Sequence, residues 1–250
     1  PREMRLYPNG KLASHILGGA GFGREGVSSA EVIGTAGVEK IYDDYLRDPA
    51  NGGEPLELSI DLSVQAAAEQ ILAGGVKLMN AKGATGILME VETGEILAMA
   101  SLPDFDPNDR PRPLLTGEPS DSPLFNRAVQ GVYELGSTFK PLTVAAAIDA
   151  GVVRDLGRQW NAAPVPVGSR TIKDSHPMGP SLNVPQALVH SSNTVTARVA
   201  DELGPERMRR AMIDLGMDRR PFIELPARGK PIWPGGDWSR VTNMTVGFGH

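Results

Sequence analysis

Residues Gly83 to Asn108 read GATGILMEVETGEILAMASLPDFDPN. Two β-rich runs meet through Glu92, Thr93, Gly94 and Glu95. Gly94 supplies the backbone freedom that a tight turn demands, so the stretch predicts a β-hairpin. Upstream, EPLELSID alternates Leu56, Leu58 and Ile60 against polar neighbours, a strand pattern. Asp61 or Ser63 then caps a helix from Val64 to about Asn80, with Ala67, Ile71, Leu72 and Leu78 near helical spacing. Before that, Arg5 to Glu54 is Gly-rich and reads as loops around one short helix near Val38 to Leu46.

Downstream of the hairpin, Asp104 to Asp121 is a polar, Pro-rich surface loop. A helix follows from about Ser137 to Ala150, then a Pro/Gly segment to about Pro180. Further helices are expected at Val184 to Val189, Thr194 to Leu203 and Pro205 to Leu215. A hairpin followed by helices points to an α+β fold whose sheet has received only two strands, with more strands expected beyond the helices.

Composition narrows the function classes. The chain has 250 residues, 40% hydrophobic and 22% charged, which suits a globular domain with a sizeable core. A net charge of -5 gives no broad field for nucleic acid or an anionic membrane surface. Without cysteine there is no disulfide framework, thiol catalysis or thiolate-bound metal, and His15, His176, His190 and His250 lack ligand-like spacing. No metal or cofactor is expected. No run reaches the roughly 20 apolar residues of a membrane span, and the opening residues have no signal layout.

Two motifs are set aside. Gly21, Gly23 and Gly26 in GFGREG match the letters of a dinucleotide fingerprint, but no convincing strand precedes them and no helix follows. Glu90, Glu92 and Glu95 read as solvent-facing carboxylates of the hairpin rather than a catalytic set.

Tyr133 to Leu142, YELGSTFKPL, is different. Ser137 and Lys140 stand three apart where an Ala-rich helix begins, and residues at that spacing share a helix face. Pro141 lacks an N–H and is tolerated only in the first turn, which places the helix start close to Ser137. A serine nucleophile needs a base, and lysine serves when burial or cationic neighbours depress its pKa. The unpaired N–H groups of a helix start also favour an oxyanion. Taken alone, the pair is equally consistent with an N-cap followed by a solvated lysine.

Acyl transfer by such a pair also needs a relay hydroxyl and an amide to hold the substrate, often as Ser-x-Asn. Two triplets qualify. Ser181 to Asn183 precedes Val-Pro and reads as a helix cap. Ser191 to Asn193 lies between two helical runs, where a turn can aim both Ser191 and Asn193 into a cleft.

GSTFKP followed by HSSNT resembles the penicillin-binding proteins, the serine transpeptidases of peptidoglycan. RLYPNGKLASHILG, GVEKIYDDYL, LSIDLSVQAAAEQIL, the hairpin stretch and the terminal TVGFGH are similar to the class B, monofunctional branch, most like its division-specific septal member. The resemblance implies a transpeptidase fold of the penicillin-binding and serine β-lactamase type, with helices packed on an antiparallel sheet. It implies part of a pedestal (dimerisation-type) domain at 1–55 and the first two-thirds of the transpeptidase domain at 56–250. By the same resemblance Ser137 is the acylated nucleophile, Lys140 its base, Ser191 the proton relay and Asn193 the ligand of the substrate amide, while Ser192 carries no chemistry. The implied partners are stem peptides ending in D-Ala-D-Ala with an amine acceptor, β-lactams, and divisome membrane proteins. The implied location is the inner membrane, with the catalytic domain in the periplasm.

Two departures stand out. Leu135 occupies a position where many relatives have proline. The family's third motif, Lys-Thr-Gly, is absent, since none of the lysines begins that triplet. A missing C-terminal portion bearing it is the expectation, and with it an isolated chain impaired in transpeptidation. The competing readings are a serine β-lactamase or β-lactam sensor, separated by fast deacylation, and a catalytically inactive divisome scaffold, separated by full activity of Ser137→Ala in cells.

Overall fold

A computed structural model describes residues 5–22, 32–236 and 238–250. The chain divides into two compact units, Pro1–Gly131 with Pro221–Lys230, and Val132–Arg220 with Pro231–His250.

In the first unit, helix α1 (Ser14–Leu17) leads into strands β1 (Gly19–Phe22) and β2 (Val32–Ala36), which pair antiparallel. This corrects the expectation of loops before Glu54. Strand β1 is Gly-Ala-Gly-Phe with little intrinsic β preference, and β2, although it carries Val32, Ile33 and Thr35, is only five residues long within a Gly-rich stretch. The pairing is reinforced by the Thr35 hydroxyl, which donates to Gly19 O at 2.9 Å. Of the GFGREG glycines, Gly21 lies in β1, while Gly23 and Gly26 fall outside the described residues. The helix expected near Val38 to Leu46 forms as two short ones, α2 (Gly37–Ile41) and α3 (Asp43–Arg47).

Helix α4 (Leu62–Leu78) is capped by Asp61, whose carboxylate accepts from Ser63 N and Val64 N. It packs on the hairpin of β3 (Ala84–Met89) and β4 (Ile96–Leu102), antiparallel as expected, with Gly94 at φ 77° in the turn. The inward face is only partly the one expected: Leu72 packs on the hairpin at Gly86, but Ile71 and Leu78 are 73% and 84% exposed. Gln65 is fully buried instead, donating to Met99 O at 3.1 Å and accepting from Met99 N at 2.8 Å. A polar side chain thus completes the backbone pairing along β4, a role that hydrophobic spacing cannot signal.

Leu56 to Ile60 has no regular secondary structure and bends at Ser59, which corrects the expected strand. Ser59 Oγ donates to Ile96 O, and Asp61 N, just beyond the segment, donates to Leu97 O of β4. Leu56 and Ile60 still pack against the core formed by Ile16, Val38, Met99 and Val129.

The second unit is mostly helical. A 3-10 turn (Gly136–Phe139) runs directly into α5 (Lys140–Asp149), as the position of Pro141 requires. Four short strands follow: β5 (Trp160–Asn161) paired with β8 (Ser181–Leu182), and β6 (Val165–Val167) paired with β7 (Arg170–Ile172). Helix α6 (Val184–Val189) carries a full capping box between Asn183 and Gln186, the role read for Ser181 to Asn183.

Helix α7 (Asn193–Leu203) is the centre of this unit. Val195, Ala197, Val199, Ala200 and Leu203 are essentially inaccessible, and α5, α8 (Pro205–Asp214) and α9 (Arg240–Gly247) surround them. Small residues at Ala197 and Ala200 let α9 approach closely, and Asn243 donates to Ala200 O at 2.6 Å across that contact. Arg240 adds a forked ion pair to Asp201. Helix α9 is not among the elements expected from the sequence, since it is short and half of RVTNMTVG is polar.

Candidate active site

The site is assembled at the starts of α5 and α7. Gly136 adopts φ 56°, a left-handed conformation that turns the chain into the 3-10 segment and leaves Ser137 exposed at its head. Behind it lies Gly249, at φ 100°, where a Cβ would stand 1.8 Å from Gly136 O. The two glycines touch backbone to backbone, with Gly136 N donating to Gly249 O at 2.9 Å. Thr143 fixes the same loop from α5, donating to Gly247 O at 2.6 Å.

One turn on from Ser137, Lys140 is 1% exposed. That removes the reading of a capping serine followed by a solvated lysine, and the Ser137 hydroxyl is engaged instead by Ser191. Lys140 Nζ donates to Ser191 O at 2.6 Å, to Ser191 Oγ at 2.9 Å and to Asn193 Oδ1 at 2.6 Å. Three acceptors match the three protons of an ammonium. Burial nonetheless pushes the Lys140 pKa below the ordinary lysine value, and the charge of Asp174 opposes that shift.

Lys140 and Ser137 share a helix face but do not meet directly. Among the described residues Lys140 has no hydrogen bond to Ser137, and Ser191 stands between them. The Ser191 hydroxyl donates to Ser137 Oγ at 2.9 Å while accepting from Lys140. Residues 54 positions apart are thereby joined in a line of oxygen, oxygen and nitrogen along which a proton can pass. Ser191 reaches this place through a left-handed backbone, φ 54°.

Asn193 is engaged at both ends of its amide, accepting from Lys140 and donating to Lys173 O at 3.0 Å. One Nδ2 proton and one Oδ1 lone pair remain for a ligand amide. All four residues singled out from the sequence therefore meet within one hydrogen-bonded set. Ser192, given no chemistry, is fully buried and caps α7 by accepting from Val195 N.

The residue that sequence reasoning missed is Asp174. Its carboxylate accepts from Asn193 N at 2.6 Å, Thr194 N at 3.0 Å, Ser192 Oγ at 2.9 Å and Thr194 Oγ1 at 2.8 Å. An anion at the positive end of α7 stabilises the helix start and fixes the turn that presents Ser191 and Asn193. Nothing local in IKDSHP signals a cap for a helix some twenty residues later.

An exposed hydroxyl linked through a second hydroxyl to a buried amine, at a helix start, is an arrangement suited to serine–lysine acyl transfer. Comparison with known proteins identifies the family. Residues 84–249 match the penicillin binding protein transpeptidase domain, and residues 1–58 match the penicillin-binding protein dimerisation domain. The chain belongs to the penicillin-binding protein transpeptidase family, in its class B branch.

It is 38% identical to the probable peptidoglycan D,D-transpeptidase FtsI of Caulobacter vibrioides, over all of this chain and 40% of that protein. It is 32% identical to the probable peptidoglycan D,D-transpeptidase PenA of Neisseria gonorrhoeae, over 98% of this chain and 44% of the relative. The chain therefore spans about two fifths of the length of these relatives. Among solved structures, Pseudomonas aeruginosa PBP2 in complex with WCK 5153 superposes with a TM-score of 0.81 at 24% identity, covering 98% of this chain and 60% of the other. That likeness establishes the penicillin-binding transpeptidase fold.

Proposed function

We propose that the chain forms part of a peptidoglycan D,D-transpeptidase that cross-links stem peptides through a serine acyl-enzyme in septal wall synthesis. The observation that carries this reading is the unbroken hydrogen-bond path from exposed Ser137 through Ser191 to buried Lys140. Ser137 Oγ attacks the carbonyl of the penultimate D-Ala. Its proton moves through Ser191 to a neutral Lys140, and the first-turn N–H groups of α5 favour the oxyanion. Collapse breaks the C–N bond, and the terminal D-Ala leaves as an amine that takes up the proton. An amine from a second stem then attacks the ester, loses its proton to the same relay and frees Ser137. Asn193 holds the donor's amide.

β-Lactams enter as donor mimics and leave a slowly hydrolysed ester on Ser137. The same reading assigns 1–55 to the pedestal and 56–250 to the transpeptidase domain. It places the catalytic domain in the periplasm on an inner-membrane anchor, among divisome membrane proteins. The septal assignment is supported by the 38% identity to the FtsI of Caulobacter vibrioides.

Labelled penicillin followed by peptide mass spectrometry tests the reading, in the protein at the full length of its relatives. A persistent adduct on Ser137, absent in Ser137→Ala, is expected. Rapid turnover of the adduct points to a β-lactamase instead, and full complementation of cell division by Ser137→Ala points to a scaffold.

A further inference from the structure

Thr143 lies on α5 three residues beyond Lys140, on the same face, and is fully buried. A threonine inside a helix ordinarily returns its hydroxyl proton to a carbonyl of the preceding turn. Thr196 does so to Ser192 O at 2.7 Å, and Thr245 to Val241 O at 2.8 Å. Thr143 departs from that habit: its single proton goes across to Gly247 O, at 2.6 Å, at the end of α9. The other buried residues of α5 beyond Lys140 are Val144 and Ala147, so valine would satisfy the packing at this place. A hydroxyl removed from water there answers to the carbonyl it meets.

Gly247 is confined from its other side by α7. A Cβ on it would stand 2.3 Å from that of Ala200. Two residues on, Gly249 O accepts the hydrogen bond of Gly136 N. The end of α9 therefore grips the chain on both sides of Ser137 and Lys140, at Gly136 and at Thr143, while it rests on the helix whose first residue is Asn193. We propose that Thr143 is a positioning residue for acyl transfer, its hydroxyl fixing α5 to the end of α9 and so holding Ser137 in register with Ser191. The proposal rests on the acyl-transfer reading and adds to it a residue outside the hydrogen-bonded set of Ser137, Ser191, Lys140 and Asn193. Register matters because Ser137 Oγ and Ser191 Oγ are 2.9 Å apart, and a misplacement of about 1 Å is worth roughly 100-fold in rate.

Thr143→Val keeps the shape and removes the hydroxyl. In the protein at the full length of its relatives, stopped-flow acylation over a range of fluorescent penicillin concentrations separates the noncovalent dissociation constant from the rate constant of ester formation. The rate constant is expected to fall about 10-fold in Thr143→Val while the dissociation constant changes less than about twofold. Thr143→Ser restores the donor and is expected to recover the rate to within about threefold. Circular dichroism melts give the folded fraction of each variant, and Thr143→Ala provides a second hydroxyl-free form should the valine variant fail to fold. A rate constant per folded molecule within about twofold of the parent in a hydroxyl-free variant overturns the proposal, as does a serine variant that recovers nothing. A purely structural threonine would lower the melting temperature and leave that rate constant unmoved. The two readings fail differently: an unsubstituted protein that forms no adduct on Ser137 removes acyl transfer itself, whereas equal rates with the adduct present remove Thr143 alone.

Discussion

The hydroxyl of Ser191 stands 2.9 Å from that of Ser137, close enough for a proton to pass between them. The same oxygen takes a hydrogen bond from Lys140, so the route from nucleophile to amine runs through Ser191. Ser191→Ala is therefore expected to reduce acylation of Ser137 about 100- to 10,000-fold, the usual worth of a positioned proton-transfer group. The fold should persist, because Ser191 is exposed and Lys140 keeps its bonds to Ser191 O and Asn193. Stopped-flow acylation with a fluorescent penicillin, alongside thermal melting, measures both. A loss below about threefold would remove the relay.

The Lys140 amine sits below its ordinary pKa because it is buried. Its neutral, basic form is thus populated at lower pH than in a free lysine. Acylation is expected to rise with pH through that lowered value and level off above it. The sign for stability is the same. Between the folded and unfolded values the unfolded chain binds the extra proton, so stability increases with pH across that window. Lys140→Arg keeps its charge throughout and should lose the alkaline rise altogether. A pH–rate profile of acylation, with and without the substitution, checks both expectations.

Much of the second unit was legible because its signals are local. Pro141 marked the start of α5, the Ser181 to Asn183 triplet before Val-Pro marked the cap of α6, and the helix expected over Thr194 to Leu203 is α7. What escaped was non-local. Gln65 completes the backbone pairing of β4 from 34 residues away, and Asp174 caps α7 from 20 residues before Thr194. Spacing alone paired Ser137 with Lys140; the place of Ser191 between them came from the family resemblance, because it depends on a left-handed backbone in a turn. Ile71 and Leu78 misled for a related reason: hydrophobicity marks a face that some partner covers, not which face the hairpin occupies.

Asp174 separates positioning from charge. Asp174→Asn retains the shape and loses the anion that supports Asn193 N and Thr194 N. A destabilisation of about 1–3 kcal/mol is expected for charge-assisted bonds of this kind. The lost charge also ceases to raise the Lys140 pKa, so the acylation profile should move to lower pH. A purely structural residue would lower the melting temperature and leave that profile where it was.

Leu135 has φ -70° and ψ -25°, a conformation that proline adopts without strain, and its N–H makes no backbone hydrogen bond among the described residues. Leu135→Pro is expected to stabilise the chain by about 0.4–1 kcal/mol by restricting the unfolded state. Acylation should change little, because the Leu135 carbonyl remains available to Thr138 Oγ1. Chemical denaturation of the two forms decides it, and a destabilisation would show that Glu134 cannot accommodate the ring that follows it.

Gly249 carries the sharpest steric prediction. At φ 100° any side chain is strained, and a Cβ would lie 1.8 Å from Gly136 O, well inside contact distance. That oxygen belongs to the residue just before Ser137, so the clash cannot be relieved by turning a flexible side chain. Either the terminal loop withdraws, breaking the bond from Gly136 N to Gly249 O, or the nucleophile's turn shifts. Gly249→Ala is expected to cost about 1–3 kcal/mol, the range for a residue held in an unfavourable backbone region. It should also slow acylation of Ser137, whereas Gly235→Ala, with open space around its Cβ, should do neither. Equal melting and acylation for the two variants would mean that the Gly136–Gly249 contact does not position Ser137.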